Sequence, residues 1–174
     1  ESDEKQGDFF IKNLGLEKGD KFVCYLIRDS NYKIQIDKNF DSSYHKFRNS
    51  DLHNFESSML KLADMGYWVF RMGKFTEKRL SVKHEKIIDY ANHESRSDFL
   101  DLWLMSKCFF CVSTGTGIDM ICLVNNVPAV FVNYLPLWSL ASFSNTITVP
   151  KKLVWKKDGK YLDLNDHIQY TTHF

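Results

Sequence analysis

A glycine-rich turn carries the strongest chemical signal in the sequence. It follows an apolar run that ends at Val112, and a helical segment follows it to about Asn125. A turn of this composition offers backbone N–H groups and the positive end of a helix dipole to an anion. The alternative is that its small residues only let a strand and a helix pack closely. The phosphate-binding reading is our prediction for the five residues Ser113, Thr114, Gly115, Thr116 and Gly117.

Three better-known motifs do not fit this turn. A dinucleotide fingerprint needs Gly or Ala three residues after Gly117, where Met120 stands, and it follows the first strand rather than the fourth. No GxxxxGK[ST] segment is present. Ser113 follows Val112 and lacks the GxSxG context of a nucleophile elbow, so serine hydrolysis is not indicated.

Polar residues also end the other predicted strands, where ligands bind in open α/β sheets. Arg28 follows the first strand and Arg71 ends the second. A guanidinium can hold a diphosphate through two hydrogen bonds and neutralise the charge on a departing nucleotide. The alternative for each arginine is a surface ion pair, which contributes little. The remaining candidates at strand ends are Asp29, Gly73, Asp89, Tyr90 and Asn133.

The sequence contains few of the residue patterns that bind metal ions. The six histidines show no HxH or HExxH spacing, and no Asp-x-Asp triplet occurs. The single CxxC pair, Cys108 and Cys111, would point to opposite faces of a strand. We therefore predict a site without a metal ion or cofactor.

Asp101, on an otherwise apolar helix, faces either a buried polar partner or solvent.

The elements that position these residues alternate between short β-rich runs and helical segments, which predicts a mainly parallel, Rossmann-like sheet with helices on both faces. We expect residues 30–49 to form a long loop, and Asn49 or Ser50 to cap the first helix. Asp158-Gly159 predicts a two-residue hairpin turn. The strands are predicted over 22–27, 67–72, 86–89, 108–112 and 128–132, with 147–149 as a candidate sixth, and the helices over 51–65, 98–106 and 117–125.

Size and composition limit the alternatives. The 174 residues suit one domain, divided into a polar lead-in (1–20), an α/β domain (21–150) and a C-terminal hairpin and tail (151–174). The 23 basic and 22 acidic residues nearly cancel, so we expect no binding to nucleic acid. Apolar runs are shorter than the roughly 20 residues of a transmembrane helix. Four cysteines within apolar runs indicate free thiols in a reducing compartment. The acidic start without Met or signal suggests an excised domain.

Five segments resemble a family of bacterial surface-polysaccharide glycosyltransferases. They cover residues 25–32, 66–73, 87–91, 97–101 and 108–113. More distantly, Arg28 and the Ser-containing turn resemble the donor-binding half of GDP-fucose-dependent fucosyltransferases. The resemblance implies the two-domain GT-B fold, whose carboxyl-terminal α/β domain binds the nucleotide sugar while the other domain presents the acceptor.

The resemblance also implies roles for the candidates. Arg28 would contact the donor diphosphate, the glycine-rich turn would line the phosphates, and Asp89 with Tyr90 would lie near the base or ribose. Asp29 is a candidate general base, although many such enzymes take the base from the acceptor domain. The turn here differs from the Ser-Ser type of the fucosyltransferases, so neither GDP nor fucose is carried over.

Together these features predict the donor-binding domain of a glycosyltransferase that moves a sugar from a nucleoside-diphosphate sugar to a carbohydrate or lipid-linked acceptor. A missing acceptor domain or partner chain would complete the enzyme, in the cytoplasm or at the inner face of the membrane. The alternative is a non-catalytic module that binds a nucleotide or a partner through the same rim and the aromatic residues Tyr32 and Tyr44. Residues 134–138 are our candidate for an apolar face toward the missing domain, and a buried loop is the alternative.

Overall fold

The computed structural model describes residues 2–39, 41–140 and 145–170, without the side chains of Ser42, Tyr44 and His45. The aromatic role suggested for Tyr44 therefore lies outside what is described. Six strands form one sheet in the order β3-β2-β1-β4-β5-β6, and every pair is parallel. The predicted α/β Rossmann-like fold is confirmed, including the sixth strand. The strands are β1 Phe22–Leu26, β2 Trp68–Arg71, β3 Ile87–Ile88, β4 Phe110–Ser113, β5 Ala129–Tyr134 and β6 Thr146–Pro150.

Helices cover both faces of this sheet, as predicted. Alternate residues of β1 belong to two different cores because successive side chains of a strand point to opposite faces. Cys24 packs in the cluster that contains Leu104, and Val23 packs with Phe55 and Met59. The helices are α1 Ser2–Asn13, α2 Asn31–Ile36, α3 His53–Asp64, α4 Asp98–Lys107, α5 Met120–Val124 and α6 Leu164–Tyr170, with 3₁₀ helices at Ser42–Arg48, Tyr90–Asn92 and Leu137–Ser139.

The polar lead-in is more structured than its composition suggests. Residues of α1 contact α4, and Phe10 is buried among aromatic rings. Gly7 lies so close to the Trp103 ring that any Cβ at position 7 would overlap it. The helix is thus part of the core, and its mostly polar sequence reflects the single narrow stripe that it buries.

The predicted long loop at 30–49 is wrong in detail. It contains α2 and the 3₁₀ helix Ser42–Arg48, whose start is stabilised by Asp41, since Asp41 Oδ1 accepts a hydrogen bond from Ser43 N at 2.8 Å. Both helices are shorter than two α-helical turns, so they show no apolar period in the sequence. This segment follows β1 and lies beside the carboxyl edge of the sheet.

The predicted N-terminal cap is correct for α4 but wrong for α3. Ser97 caps α4, where its side chain accepts a hydrogen bond from Leu100 N, as predicted. Gly66 ends α3 with φ +96, a conformation that favours glycine. Neither Asn49 nor Ser50 caps α3; instead Asp51 Oδ1 accepts from His53 N at 3.2 Å.

The C-terminal hairpin is present, but its turn is longer than predicted. Val154 and Tyr161 form an antiparallel bridge, and Trp155 N donates to Lys160 O at 2.8 Å. Four residues, 156–159, therefore connect the two arms, with Gly159 at φ +72. The helix α6 follows and was not predicted.

All four cysteines are free and buried, as predicted. The expected opposite orientation of Cys108 and Cys111 is wrong, because Cys108 lies at the end of α4 rather than in β4, and both thiols reach the same core. Cys108 Sγ lies 3.9 Å from Cys122 Sγ.

Across residues 2–39, 41–140 and 145–170, no three His, Cys, Asp or Glu side chains are arranged to hold a metal ion. None of the helices in those ranges has the length and apolar character to cross a bilayer.

Candidate functional site

A cavity of about 560 Å³ opens at the carboxyl edge of the sheet, between β1, β2 and the residues that follow β4. The chain order of the strands runs outward in both directions from the β1–β4 pair, so the cavity lies at the topological switch point, where ligands bind in open α/β sheets. Its volume is typical of small-molecule sites. Of the predicted site residues, it is lined by Arg28, Asp29, Gly73, Thr116 and Gly117.

Arg28 reaches this cavity with a guanidinium that has no ion-pair partner among the described residues. Its backbone is fixed on both sides, because Arg28 N donates to Thr114 Oγ1 at 2.8 Å and Arg28 O accepts from Ser50 N at 3.0 Å. Its buried Nε has no hydrogen-bond partner in the described chain, and no carboxylate there pairs with it. Burial lowers the pKa of Arg28, the charge of Arg48 lowers it further, and Asp29 opposes both. A partly buried cation without an anion is suited to bind one.

Asp29 also lines the cavity, and both of its carboxylate oxygens are in use. Oδ1 accepts from Asn31 N and Oδ2 accepts from Glu77 N, each at 2.9 Å. These bonds join the start of α2 to the segment after β2. Asp29 therefore holds two cavity walls together, and its role as a general base stays a prediction.

The glycine-rich turn is organised around a residue that the sequence analysis missed. Asp119 is 3% exposed, and its Oδ2 accepts hydrogen bonds from Ser113 Oγ and Thr116 N, both at 2.7 Å. Ser113 Oγ in turn accepts from Gly115 N at 3.1 Å. The protein's own carboxylate thus takes two of the donors that were predicted to hold a phosphate. Burial raises the pKa of Asp119, against the lowering effect of Ser113, Thr116 and Arg48.

The helix predicted from residue 117 begins later, and this changes how the turn could act. α5 starts at Met120 and has five residues, too few for a strong dipole at the cavity. Any anion there must be held mainly by side chains. Gly115, at φ +85, allows close packing, since a Cβ on it would lie 3.0 Å from the Tyr134 ring. Thr116 Oγ1 is buried without a partner in the described part of the chain.

Arg71 and Asp89 are brought together by the structure, but not at the cavity. Arg71 is 1% exposed and donates to Asp89 Oδ1 at 3.1 Å, to Thr76 Oγ1 at 2.8 Å and to Lys78 O at 3.0 Å. Burial lowers the pKa of Arg71, and Asp89 opposes that change. The surface-pair alternative is therefore wrong for Arg71, which is buried, although its partner Asp89 is only partly buried. Arg71 holds the 76–80 segment in place.

The remaining predicted residues are spread around the site. Tyr90 is fully buried, where its hydroxyl bonds Ser97, and burial raises the pKa of Tyr90. Gly73 lines the cavity at φ +147, a conformation that other residues rarely adopt. Asn133, at φ +55, lies outside the cavity lining and donates from Nδ2 to Ser50 Oγ at 3.4 Å.

The wall opposite the turn is formed by the start of α4. Asp101 is 8% exposed and pairs with Arg96, so the buried-partner alternative is confirmed for it. Burial raises the pKa of Asp101, and Arg96 opposes that change.

Tyr32, which also lines the cavity, stacks on Phe75 with ring centroids 6.4 Å apart. Sequence reasoning did not place these aromatic rings side by side, because they come from distant segments.

Arg48 is the second arginine of this region, and it was also missed. It ends the 3₁₀ helix that follows α2, and its Nη2 lies 3.8 Å from the point that a Cβ on Gly115 would occupy. Lys151, just after β6, donates to Phe47 O and Asn49 O on either side of it. An arginine directly before the polar triplet 49–51 at the end of a long connection was the available signal.

Comparison with known proteins identifies one fold. No protein-family model and no curated protein matches the chain. A solved structure of E. coli ADP-heptose LPS heptosyltransferase II is similar, with a TM-score of 0.61, 12% sequence identity and 87% of this chain covered. The match covers 44% of that protein's chain, so this chain spans less than half of its length. At this identity the likeness shows the fold alone.

Proposed function

We propose that the chain is the donor-binding half of a glycosyltransferase, which moves a sugar from a nucleoside-diphosphate sugar to a carbohydrate or lipid-linked acceptor without a metal ion. The observation that carries the proposal is the Arg28 guanidinium in the wall of the switch-point cavity, whose buried Nε has no partner among the described residues. The name of the similar heptosyltransferase, which specifies ADP-heptose, supports the same class of donor for this fold.

Arg28 would act on the leaving group. In the transfer, the acceptor hydroxyl oxygen forms a bond to the anomeric carbon, the bond from that carbon to the diphosphate breaks, and the hydroxyl proton passes to a base. Negative charge grows on the departing nucleoside diphosphate, and a preorganised guanidinium stabilises it. Partial burial strengthens that interaction because the local dielectric constant is lower than in water.

The rest of the cavity fits the other parts of such a donor. Leu26, Met72 and Leu102 give the lining an apolar part that suits a base or sugar, and polar and charged side chains form the rest of it. Tyr32 lies at the same wall and offers a ring face to a base or sugar. Asp29 is our candidate base, with the missing half of the enzyme as the alternative source.

Calorimetric titration with UDP, GDP, CDP, dTDP and ADP tests the donor-binding half of the proposal. We expect one of them to bind selectively, and with the same affinity in EDTA and in magnesium. Arg28→Gln should weaken binding by about tenfold or more, because a charge-assisted contact to phosphate is lost. Arg79→Gln removes an exposed arginine that is not part of the cavity lining and is the matched control. Equal affinity of the Arg28 variant and wild type would contradict the role of Arg28.

Transfer itself is tested by adding an acceptor half to the chain and following a radiolabelled sugar from the donor that binds. Release of nucleoside diphosphate with a labelled product supports catalysis. Tight nucleotide binding without any transfer would instead favour the non-catalytic module.

A further inference from the structure

We propose that Arg48 and Arg28 together form a diphosphate subsite beside the glycine-rich turn, and that Lys151 positions Arg48 for it. The inference deepens the proposed function and rests on it for the identity of the ligand. It adds a second phosphate-binding cation, Arg48, from the segment after α2, and it assigns to Lys151 the positioning of Arg48.

The first reason is that Arg48 is unsatisfied. Its guanidinium is partly buried, its Nε is fully enclosed, and no acceptor for that Nε occurs in the described residues. No carboxylate in the same ranges forms an ion pair with Arg48. Buried charges in proteins are normally paired, so an enclosed guanidinium in this state lacks an anion.

The second reason is that folding brings two such cations together. Arg28 N donates to Thr114 Oγ1 at 2.8 Å, and Arg48 Nη2 lies 3.8 Å from the Cβ position of Gly115, so both arginines border the same turn. After burial, the charge of Arg48 also lowers the pKa of Arg28. Like charges repel, and an anion with two negative charges between them would relieve both. A nucleoside diphosphate carries that charge, and guanidinium groups bind phosphate oxygens through paired hydrogen bonds.

Asp119 is a carboxylate close to Arg48, but the two form no ion pair within 4 Å in the described residues. Asp119 interacts with the charge of Arg48, but its Oδ2 is held by Ser113 Oγ and Thr116 N, both at 2.7 Å. Asp119 therefore shapes the turn from within. The Arg48 guanidinium lies above the turn, with Nη2 3.8 Å from the Cβ position of Gly115.

The third reason is that the backbone of Arg48 is held on both sides. Lys151 Nζ donates to Phe47 O at 2.9 Å and to Asn49 O at 2.8 Å. Asn49 Nδ2 donates to Ser30 Oγ at 2.6 Å, and Ser50 N donates to Arg28 O at 3.0 Å. These bonds connect the chain around Arg48 to β6 and to Arg28. Such fixed placement of an unpaired cation is what a binding residue requires.

Inorganic pyrophosphate is the probe, measured by calorimetry beside the matching nucleoside without phosphate. We expect Arg48→Gln and Arg28→Gln each to weaken pyrophosphate binding by about tenfold or more, with nucleoside binding unchanged. Arg48→Lys keeps the charge but loses the planar fork, so its loss should be smaller. Arg79→Gln should bind like wild type.

Lys151→Met tests the positioning role. It should weaken pyrophosphate binding in the chain that has Arg48 and cause no further loss in the Arg48→Gln background, since Lys151 acts through Arg48. Independent, additive losses would overturn the positioning role, because Lys151 would then act directly on the anion.

The outcomes separate this inference from the proposed function. If Arg48→Gln and Arg48→Lys bind pyrophosphate as tightly as wild type, the subsite is wrong, whether or not a sugar is transferred. If both arginines are needed for pyrophosphate but no nucleotide sugar is turned over, the subsite stands and the proposed function fails. A folded wild-type chain that binds no pyrophosphate would also overturn the subsite. Circular dichroism confirms the fold of each variant.

Discussion

Two arginines that look equivalent in the sequence have different surroundings. Arg71 is the last residue of β2 and Arg28 follows the end of β1. Arg71 donates hydrogen bonds to Asp89, Thr76 and Lys78, whereas Arg28 has no such partners in the described residues. The difference depends on a connection after β2 that folds back over Arg71. Protein partners thus suggest a structural role for Arg71, and the lack of them suggests a ligand for Arg28.

This contrast predicts opposite effects on stability. Arg71→Gln should lower the free energy of unfolding by about 3 kcal/mol, because the buried guanidinium makes three hydrogen bonds and the partly buried Asp89 would lose its cation. Arg28→Gln should change it by less than about 1 kcal/mol, since no protein hydrogen bond to its side chain is lost. Urea denaturation followed by tryptophan fluorescence measures both. A larger loss for the Arg28 variant would reverse the two roles.

Candidate site residues could be predicted where the strand ends show them, but the partners of those residues could not. Arg28, Asp29 and Gly73 line the cavity as their positions after β1 and β2 suggested. Asp119 and Arg48 were missed, because neither lies at a strand end and each acts through contacts across the chain. Spacing indicates which residues share an edge of the sheet; it does not indicate which of them already have a protein partner.

At the scale of elements, the strands were the easiest to predict and the short helices the hardest. Strands buried on both faces are continuous apolar runs, as in β1. α2 and α5 have six and five residues, too few for a helical period. α1 is long enough, but it buries only one narrow stripe around Gly7 and Phe10.

The contact of α1 with α4 gives a test of that helix. Gly7→Ala should destabilise the chain by about 1–3 kcal/mol, because the added methyl group overlaps the Trp103 ring. Alanine has a higher helix propensity than glycine by about 1 kcal/mol, so a loss of stability would come from packing alone. Lys5→Ala, on the exposed side of the helix, is the control for thermal denaturation. A stabilised Gly7→Ala chain would show that α1 does not pack on Trp103.

A second test concerns the attachment of the segment after β2 to α3. Glu56 accepts hydrogen bonds from Ser81 N and Ser81 Oγ, both at 2.6 Å, and lies 3.2 Å from His53 Nδ1. Burial raises the pKa of Glu56, but the Ser81 bonds and His53 outweigh it and leave the pKa below its usual value of 4.5. The folded state then binds the proton less readily than the unfolded state, so this contribution is present above pH 4.5 and is lost as the pH falls below it.

Glu56→Gln should therefore flatten the fall in unfolding free energy between about pH 5 and pH 3, because it removes the titrating group. Urea midpoints at several pH values measure the slope. Glu85→Gln is the control, an exposed glutamate in the same region of the chain. Identical slopes for Glu56→Gln and wild type would exclude the predicted linkage.

For the whole molecule, the fold was predictable and its outer surface was not. The alternation of strands and helices was sufficient for the Rossmann-like sheet. The sequence predicts an exposed apolar face at 134–138. In the structure Leu135 and Pro136 are buried, whereas Trp138 is 58% exposed. Its exposure depends on how the 3₁₀ helix Leu137–Ser139 packs, which local sequence does not determine.

Ligand binding should be measurable as a stability change of the whole chain. A nucleoside diphosphate at about 100 times its dissociation constant should add about 2.7 kcal/mol to the unfolding free energy. For a chain of 174 residues this corresponds to a rise in Tm of about 5–10 °C. Differential scanning fluorimetry should show the same rise in EDTA, with the matching nucleoside as a weaker-binding control. A rise that vanishes with EDTA would contradict a metal-independent site.

The order of the strands also determines how the sheet meets other chains. Its two outermost strands are β3, with only two residues, and β6, which ends in Pro150 and is followed by Lys151 and Lys152. A very short edge strand offers few free backbone groups for pairing, and proline and lysine at an edge hinder the addition of another strand. Both borders of the sheet therefore resist extension by a strand from a second copy of the chain.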